Sequence, residues 1–215
     1  MFEDPLYPNW RDMASLMVTR LHLDEGPVAE AMREIPRHRF LSRELWQSAY
    51  YDTPLPVGPQ ATISAPHMVA LQLEAAGIRA GDHILELGSG SGYLACLAAH
   101  MAGPSGKVIG VEIETELAQR SRLAIEEIGL SDRVHIHAGD AAAGYPPAAP
   151  YDRLMVSYAV LYPFPDEWRQ QLLDDGVMVA PIDRGDGTYL EKLEKSAKGW
   201  KVDRGPPCIF VSSKS

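Results

Sequence analysis

The sequence predicts an α/β fold: a doubly wound, mostly parallel sheet with helices on both faces, antiparallel strands at its C-terminal edge and a helical N-terminal region. Three observations predict it. Between residues 83 and 182 short apolar runs alternate with amphipathic stretches, the rhythm of βαβ units whose crossover helices cover both faces of a parallel sheet. The first run leads into a glycine-rich turn, ILELGSGSGY at 84–93, and open sheets of this kind hold ligands outside the carboxyl ends of their strands. From Thr188 onward polar and apolar residues alternate, the period of antiparallel strands. Together these make the architecture Rossmann-like.

Each element follows in order. Residues 10–35 carry apolar positions at helical spacing, Leu16, Leu21 and Leu23 and then Val28, Ala31, Met32 and Ile35. Gly26-Pro27 divides them into two pieces and Pro36 closes the second. Over 54–66 the prolines and Gly58 prevent regular helix, so TISAP at 62–66 is a loop. It enters a helix over 67–77 that stops at Gly77, and Thr62 or Ser64 is placed to cap its unpaired N–H groups. Then come a strand at 83–88, a helix at 93–101, a strand at 107–112, and a helix at 115–129 with Leu117, Ser121, Ala124, Ile125 and Ile128 on one face. Strands at 134–140 and 152–158, a helix at 166–173 and a strand at 176–182 complete the alternation. YLEKLEK, a Lys198-Gly199 turn, WKVD and CIFVS form an antiparallel ribbon at the sheet's edge.

A chain of 215 residues, 46% hydrophobic and 23% charged, has the make-up of one folded domain with a full core. The expectation is a single domain over 1–215, with a helical region and its loop over 1–80 and the sheet over 81–215. A net charge of −9 without any run of Lys and Arg argues against a nucleic-acid partner, because phosphates are neutralised by clustered cations. The N-terminus MFEDPLYPNW is acidic and proline-broken, and no run of about 18 apolar residues occurs, so neither a targeting segment nor a membrane span is expected and the location is cytoplasmic. No long exposed apolar stripe is visible, which makes a monomer the expectation. Cys96 and Cys208 are too few and too far apart for a disulfide framework or a zinc site; they are expected as reduced thiols, and no metal is expected.

The glycine turn decides the cofactor class. The dinucleotide fingerprint would need a third glycine where Tyr93 stands, and the Gly-Lys-Ser/Thr of a phosphate-cradling loop is missing. What remains is an acid, Glu86, followed by Gly88, Gly90 and Gly92. That suits S-adenosylmethionine, which has no pyrophosphate and whose amino group and sulfonium favour a nearby carboxylate. Glu112 ends the second strand, 20 residues after Gly92, where a carboxylate can accept from both ribose hydroxyls. Asp140 ends the third, placed to accept from the adenine amino group.

The run DTPLPVGPQATISAPHMVA (52–70), followed by ILELGSGSGYLACLAA (84–99), resembles the protein-L-isoaspartate O-methyltransferases. The similarity extends over EIPRHRF (34–40), GKVIGVE (106–112), GDAAAG (139–144), PYDRLMV (150–156) and DDGVMVAPI (174–182), and the QATISAPHM run is specific to that family. The resemblance implies an S-adenosylmethionine-dependent carboxyl O-methyltransferase acting on isoaspartyl residues in damaged proteins or peptides. The ester would cyclise to a succinimide and reopen partly to aspartate, which starts repair. The resemblance also implies Ser64 as the catalytic hydroxyl, and Ala61, Thr62, Ile63, Ser64 and His67 as the lining for cofactor and substrate. Glu86, Gly88, Ser89, Gly90, Gly92, Glu112, Asp140 and Ala141 are then the cofactor contacts. On the acceptor side the expected residues are Thr62, Ser64, Ser157 and Tyr158.

A carboxylate nucleophile, with a pKa of ~4, is already ionised at neutral pH, so no general base is required. The protein supplies in-line positioning and removal of water. Ser64 can orient the carboxylate; His67 either positions the loop or cofactor or is a hydrogen-bonded structural histidine. This chain departs from the family in three places. VSYAVLYPFPDEW (156–168) stands where small residues are usual, Ala141 replaces a glycine, and CIFVSSKS lacks the usual Val-Pro ending. Tyr158, Tyr162, Phe164 and Trp168 are either ordinary core and surface aromatics or a reshaped acceptor site. A second reading therefore keeps the cofactor and changes the acceptor to another carboxylate, a small molecule or a specialised peptide. A third, a non-catalytic binding module, is opposed by the intact Ser64, Gly88, Gly90 and Glu112.

Overall fold

The computed structural model describes residues 3–211. It opens with α1 (Trp10–Arg20) and α2 (Pro27–Glu34), the two pieces expected on either side of Gly26. Two short 3-10 turns, Arg37–Phe40 and Arg43–Ser48, follow where no apolar period marks them. Strands β1 (Leu55–Gly58) and β2 (Ala61–Ile63) then pair antiparallel. The stretch expected as plain loop is thus partly a hairpin; it stands apart as a two-stranded unit, where proline is tolerated. Helix α3 (Pro66–Ala76) ends at Gly77 in the left-handed conformation, φ +57°.

The start of α3 differs from expectation. Among the described residues neither Thr62 nor Ser64 caps it: the cap position is Ala65, and Pro66 at the first helical position has no N–H to satisfy. The first free donor is His67, and its N–H is taken at 3.0 Å by Oδ1 of Asp52.

The large sheet is built from β3 (His83–Leu87), β4 (Lys107–Glu112), β5 (Val134–Ala138), β6 (Tyr151–Val156), β7 (Val160–Leu161), β8 (Leu172–Asp183), β9 (Thr188–Ser196) and β10 (Gly199–Pro207). Helices α4 (Tyr93–Ala102), α5 (Thr115–Glu127) and α6 (Asp166–Gln171) connect them. The strand order is β5-β4-β3-β6-β8-β9-β10, with β7 beside β8; the first five are parallel, and β9 and β10 are antiparallel additions. The predicted architecture is the observed one, with corrections to single elements: β5 stops at Ala138, two residues before Asp140, β7 is additional, β8 begins at Leu172 rather than at 176, and the C-terminal segment differs. The part of CIFVS within the described residues is not a strand: Cys208 N–H donates to Thr188 and Ala159 N–H donates to Val211, one bond each rather than a ladder. Ser212 lies outside the described residues.

Alternation along the strands sends successive side chains to opposite faces. Ile84 and Met155 join the cluster formed with α1 to α5, while Leu85, Leu87, Leu154 and Val156 face Phe164 and Trp168 beside α6. Glu86 shares the face of Ile84, towards α3 and α4. The chain proceeds from β3 outward through β4 to β5 and then returns to lay β6 on the other side of β3. That reversal opens the crevice where ligands of such sheets bind.

Candidate active site

The turn after β3 is shaped by its glycines. Gly88 has φ +75° and Gly90 φ +54°, conformations that side chains rarely adopt. A Cβ at Gly88 would lie 2.5 Å from Cδ1 of Tyr158, so the loop also leaves no room for one. The backbone N–H groups of Gly88 and Ser89 donate to Val111 at 2.8 and 3.0 Å, tying the loop to β4. Glu112 completes the tie: Oε2 accepts from Gly90 N–H at 2.8 Å and Oε1 from Glu114 N–H at 2.9 Å.

Two adjoining cavities lie at this end of the sheet. The larger, about 370 Å³, is lined on its acidic side by Glu112, Glu114 and Asp140 with Gly88 and Gly90. Gln60, Ala61 and Thr62 of the hairpin close one end; Ala141, Ser157, Tyr158, Leu161, Trp168 and Val211 form the opposite wall. The smaller, about 40 Å³, is lined by Thr62, Ile63, Ser64, Gln72, Glu86, Ser89, Tyr93 and Ser157 among others. Thr62, Gly88, Gly90 and Ser157 belong to both.

Glu86 is the most deeply buried acid of the site, 1% exposed. Its Oε1 accepts from the Ser157 hydroxyl at 3.0 Å, which spans the crevice between β3 and β6. Its Oε2 has no hydrogen-bond partner among the described residues. Burial pushes its carboxyl up to about 8; the Ser157 bond opposes that rise and the negative Glu112 adds to it. Buried carboxylates are ordinarily satisfied. An unmatched acceptor in a polar cavity is therefore a place for a donor to bind.

Most of the expected site residues meet here. Ala61, Thr62, Gly88, Gly90, Glu112, Asp140, Ala141, Ser157 and Tyr158 line the larger cavity, and Ile63, Ser64, Glu86 and Ser89 the smaller. Asp140 also caps the 3-10 turn Ala141–Ala143, its Oδ1 accepting from Ala142 N–H at 2.8 Å. Two expected residues stand outside both linings. A Cβ at Gly92 would meet Ile125 at 3.2 Å and Ser121 at 3.3 Å, so this glycine lets α4 approach α5. His67 is half-exposed, with Nδ1 2.8 Å from Oδ1 of Asp52.

The aromatic segment divides. Trp168 is buried, donates from Nε1 to the carbonyls of Ala141 and Ala142 at 3.0 Å, and stacks on Phe164. It is both core and cavity wall. Tyr158 covers Gly88, and burial pushes its hydroxyl well above the ordinary value. Tyr162 points outward under the Arg184 guanidinium, 4.2 Å from its ring centre. Sequence reasoning did not single out Gln60, Gln72, Tyr93, Glu114, Leu161 or Val211. Tyr93 directly follows Gly92 and Glu114 stands two residues after Glu112, but Gln72, Leu161 and Val211 arrive through tertiary folding and carry no local signal.

Residues 13–215 match the family model for protein-L-isoaspartate(D-aspartate) O-methyltransferase. The chain belongs to that family. A protein-L-isoaspartate O-methyltransferase of Ignicoccus hospitalis is 41% identical over 94% of this chain and 95% of its own length. Its counterpart in Methanopyrus kandleri is 43% identical over 88% of this chain and 84% of its own length. Among solved structures, a Plasmodium falciparum protein described as a protein-L-isoaspartate O-methyltransferase, in complex with S-adenosyl-L-homocysteine, superposes with a TM-score of 0.82 at 25% identity. That match covers 95% of this chain and 98% of the other. Membership matches the family resemblance carried by the QATISAPHM run, and no helix among the described residues is long and apolar enough to cross a membrane.

Proposed function

We propose that this family member is an S-adenosylmethionine-dependent methyltransferase that esterifies the carboxylate of isoaspartyl residues in damaged proteins or peptides. The observation that carries the reading is the small cavity that Ser64 shares with Glu86. Ser64 of the family-specific loop and Glu86 of β3, with its unmatched oxygen, line the same space, which supports a joint role. The residues fit the cofactor: Glu86 offers a free acceptor to a cationic group, the glycines leave a cradle that side chains would fill, and Glu112 and Asp140 line the larger space. Glu86, Gly88, Ser89, Gly90, Glu112, Asp140 and Ala141 would hold it, with Ala61, Thr62 and Ile63 at its edge. When bound, it supplies a methyl group activated by a sulfonium.

Ser64 donates a hydrogen bond to the acceptor carboxylate and orients it, with Thr62 beside it. The carboxylate needs no base, since its pKa of ~4 leaves it ionised. Tyr158, Leu161 and Trp168 strip water from the acceptor side, which strengthens the nucleophile and the hydrogen bonds that hold it. His67 acts through its pairing with Asp52, fixing the turn into α3. Gly92 serves the loop by letting α4 pack closely. The chain acts as one domain and a monomer, in the cytoplasm, without nucleic acid or membrane as partner.

The test is transfer of labelled methyl from S-adenosylmethionine to two synthetic peptides that differ only in isoaspartate against aspartate at one position. Base-labile label on the isoaspartyl peptide alone is expected. Cofactor binding with no label on either peptide would overturn the acceptor. It would favour the second reading, another carboxylate acceptor, for which Tyr158 over Gly88 is the structural reason.

A further inference from the structure

Gln72 lies on α3 eight residues after Ser64 and is 1% exposed. A glutamine amide has two donor hydrogens and one acceptor oxygen, and burial makes an unused acceptor costly. Nε2 donates to the carbonyl of Val156, the last residue of β6, at 3.1 Å. That carbonyl can only accept, so the amide cannot be turned the other way round. Its Oε1 is left without a hydrogen-bond partner among the described residues. Gln72 lines the smaller cavity, and so does Glu86 with its own unmatched oxygen.

The chemistry of the missing guest follows from these two acceptors. A carboxylate or phosphate brings only acceptors and would meet two more. A group with several N–H donors and a positive charge satisfies both oxygens and draws Glu86, whose burial favours the protonated acid in the empty site, into its charged form. Ser89 Oγ and the Tyr93 hydroxyl, also buried and unmatched among the described residues, line the same cavity and can turn to donate or accept. We propose that Gln72 is a cofactor-binding residue whose Oε1, together with Oε2 of Glu86, accepts hydrogen bonds from the α-ammonium group of S-adenosylmethionine. The inference rests on the cofactor reading above. It gives the amino-acid end of the cofactor a grip on β6 as well as β3: Gln72 holds Val156, and the next residue, Ser157, holds Glu86.

Calorimetric titration with two ligands tests it. S-adenosylhomocysteine carries the ammonium; methylthioadenosine lacks the whole amino-acid end. In Gln72→Met, S-adenosylhomocysteine should weaken about tenfold or more, the scale of a lost hydrogen bond to a charged group, while methylthioadenosine stays within about twofold. Equal weakening of both ligands would reduce Gln72 to a structural support, and unchanged S-adenosylhomocysteine affinity would remove it from the site. Should Gln72→Met fail to fold, Gln72→Asn keeps an amide but withdraws Oε1 by one methylene, and the same two outcomes decide. A wild-type protein that binds neither ligand would overturn the cofactor reading itself, a result distinct from any change at Gln72.

Discussion

Ser64 and Gly88 sit close together in the site yet should separate cleanly on mutation. Ser64→Ala removes an orienting hydroxyl and leaves the glycine cradle intact. Calorimetry should show S-adenosylhomocysteine affinity within about twofold of wild type, while single-turnover methyl transfer falls about 10- to 100-fold, the worth of one hydrogen bond to a charged group. Unaltered turnover would take Ser64 out of the mechanism. Gly88→Ala does the reverse, because its φ of +75° strains any side chain by about 1–2 kcal/mol and its methyl would collide with Tyr158. Loss of S-adenosylhomocysteine binding is expected; normal binding would show that the turn does not hold the cofactor.

Glu86 makes the same site sensitive to pH. Its carboxyl, raised by burial from 4.5 to about 8, is neutral in the empty site at neutral pH. Affinity for a ligand that carries an ammonium should therefore climb as pH rises towards about 8, above which the ammonium itself loses its proton, and Glu86→Gln should flatten that climb. Cofactor-free stability has the opposite sign. The protonated acid contributes fully below 4.5, and its contribution is lost as pH rises through about 8. Thermal melts of wild type and Glu86→Gln across that window check it; parallel curves would sink the assignment.

At the scale of elements, the turn into α3 depends on a contact made at a distance. Asp52 takes both the N–H of His67 and its ring nitrogen. Asp52→Ala should cost about 1 kcal/mol in urea unfolding, as loss of a helix cap does. It should lower methyl transfer more than cofactor binding, since Ser64 sits between the hairpin and this helix. Equal effects on both would deny the loop its separate role. The sequence read the βαβ rhythm and the glycine turn correctly because both are local, a period and a fixed spacing; Asp140, expected at the end of the third strand, lies two residues past it as the cap of a 3-10 turn. It missed what is decided across the fold. β8 begins at Leu172 although the sequence predicts helix to 173 and a strand only from 176; pairing of Leu172 with Tyr151 extends the strand, and a register shift absorbs the irregularity. The prolines around β1 hid a hairpin. Gln72 reads as a polar position on a helix, and only β6, 84 residues later, shows why it is buried.

On the scale of the whole molecule, the reversal between β3 and β6 accounts for the position of the site. One helical layer brings Ser64 and Gln72 to the crevice, the other brings Trp168, and the glycine turn lies between them. The far side of the sheet meets a different demand. Its outer strand among the described residues, β10, is exposed along most of its length and carries Lys201, Asp203 and Arg204 followed by Pro206 and Pro207. Lys201 is paired with Glu194 and Arg204 with Asp186. Prolines have no N–H to lend, and a strand docking here would have to strip water from those charges. This border therefore gives an extended chain with unpaired backbone no template, and on this side the sheet is closed to a strand added from outside.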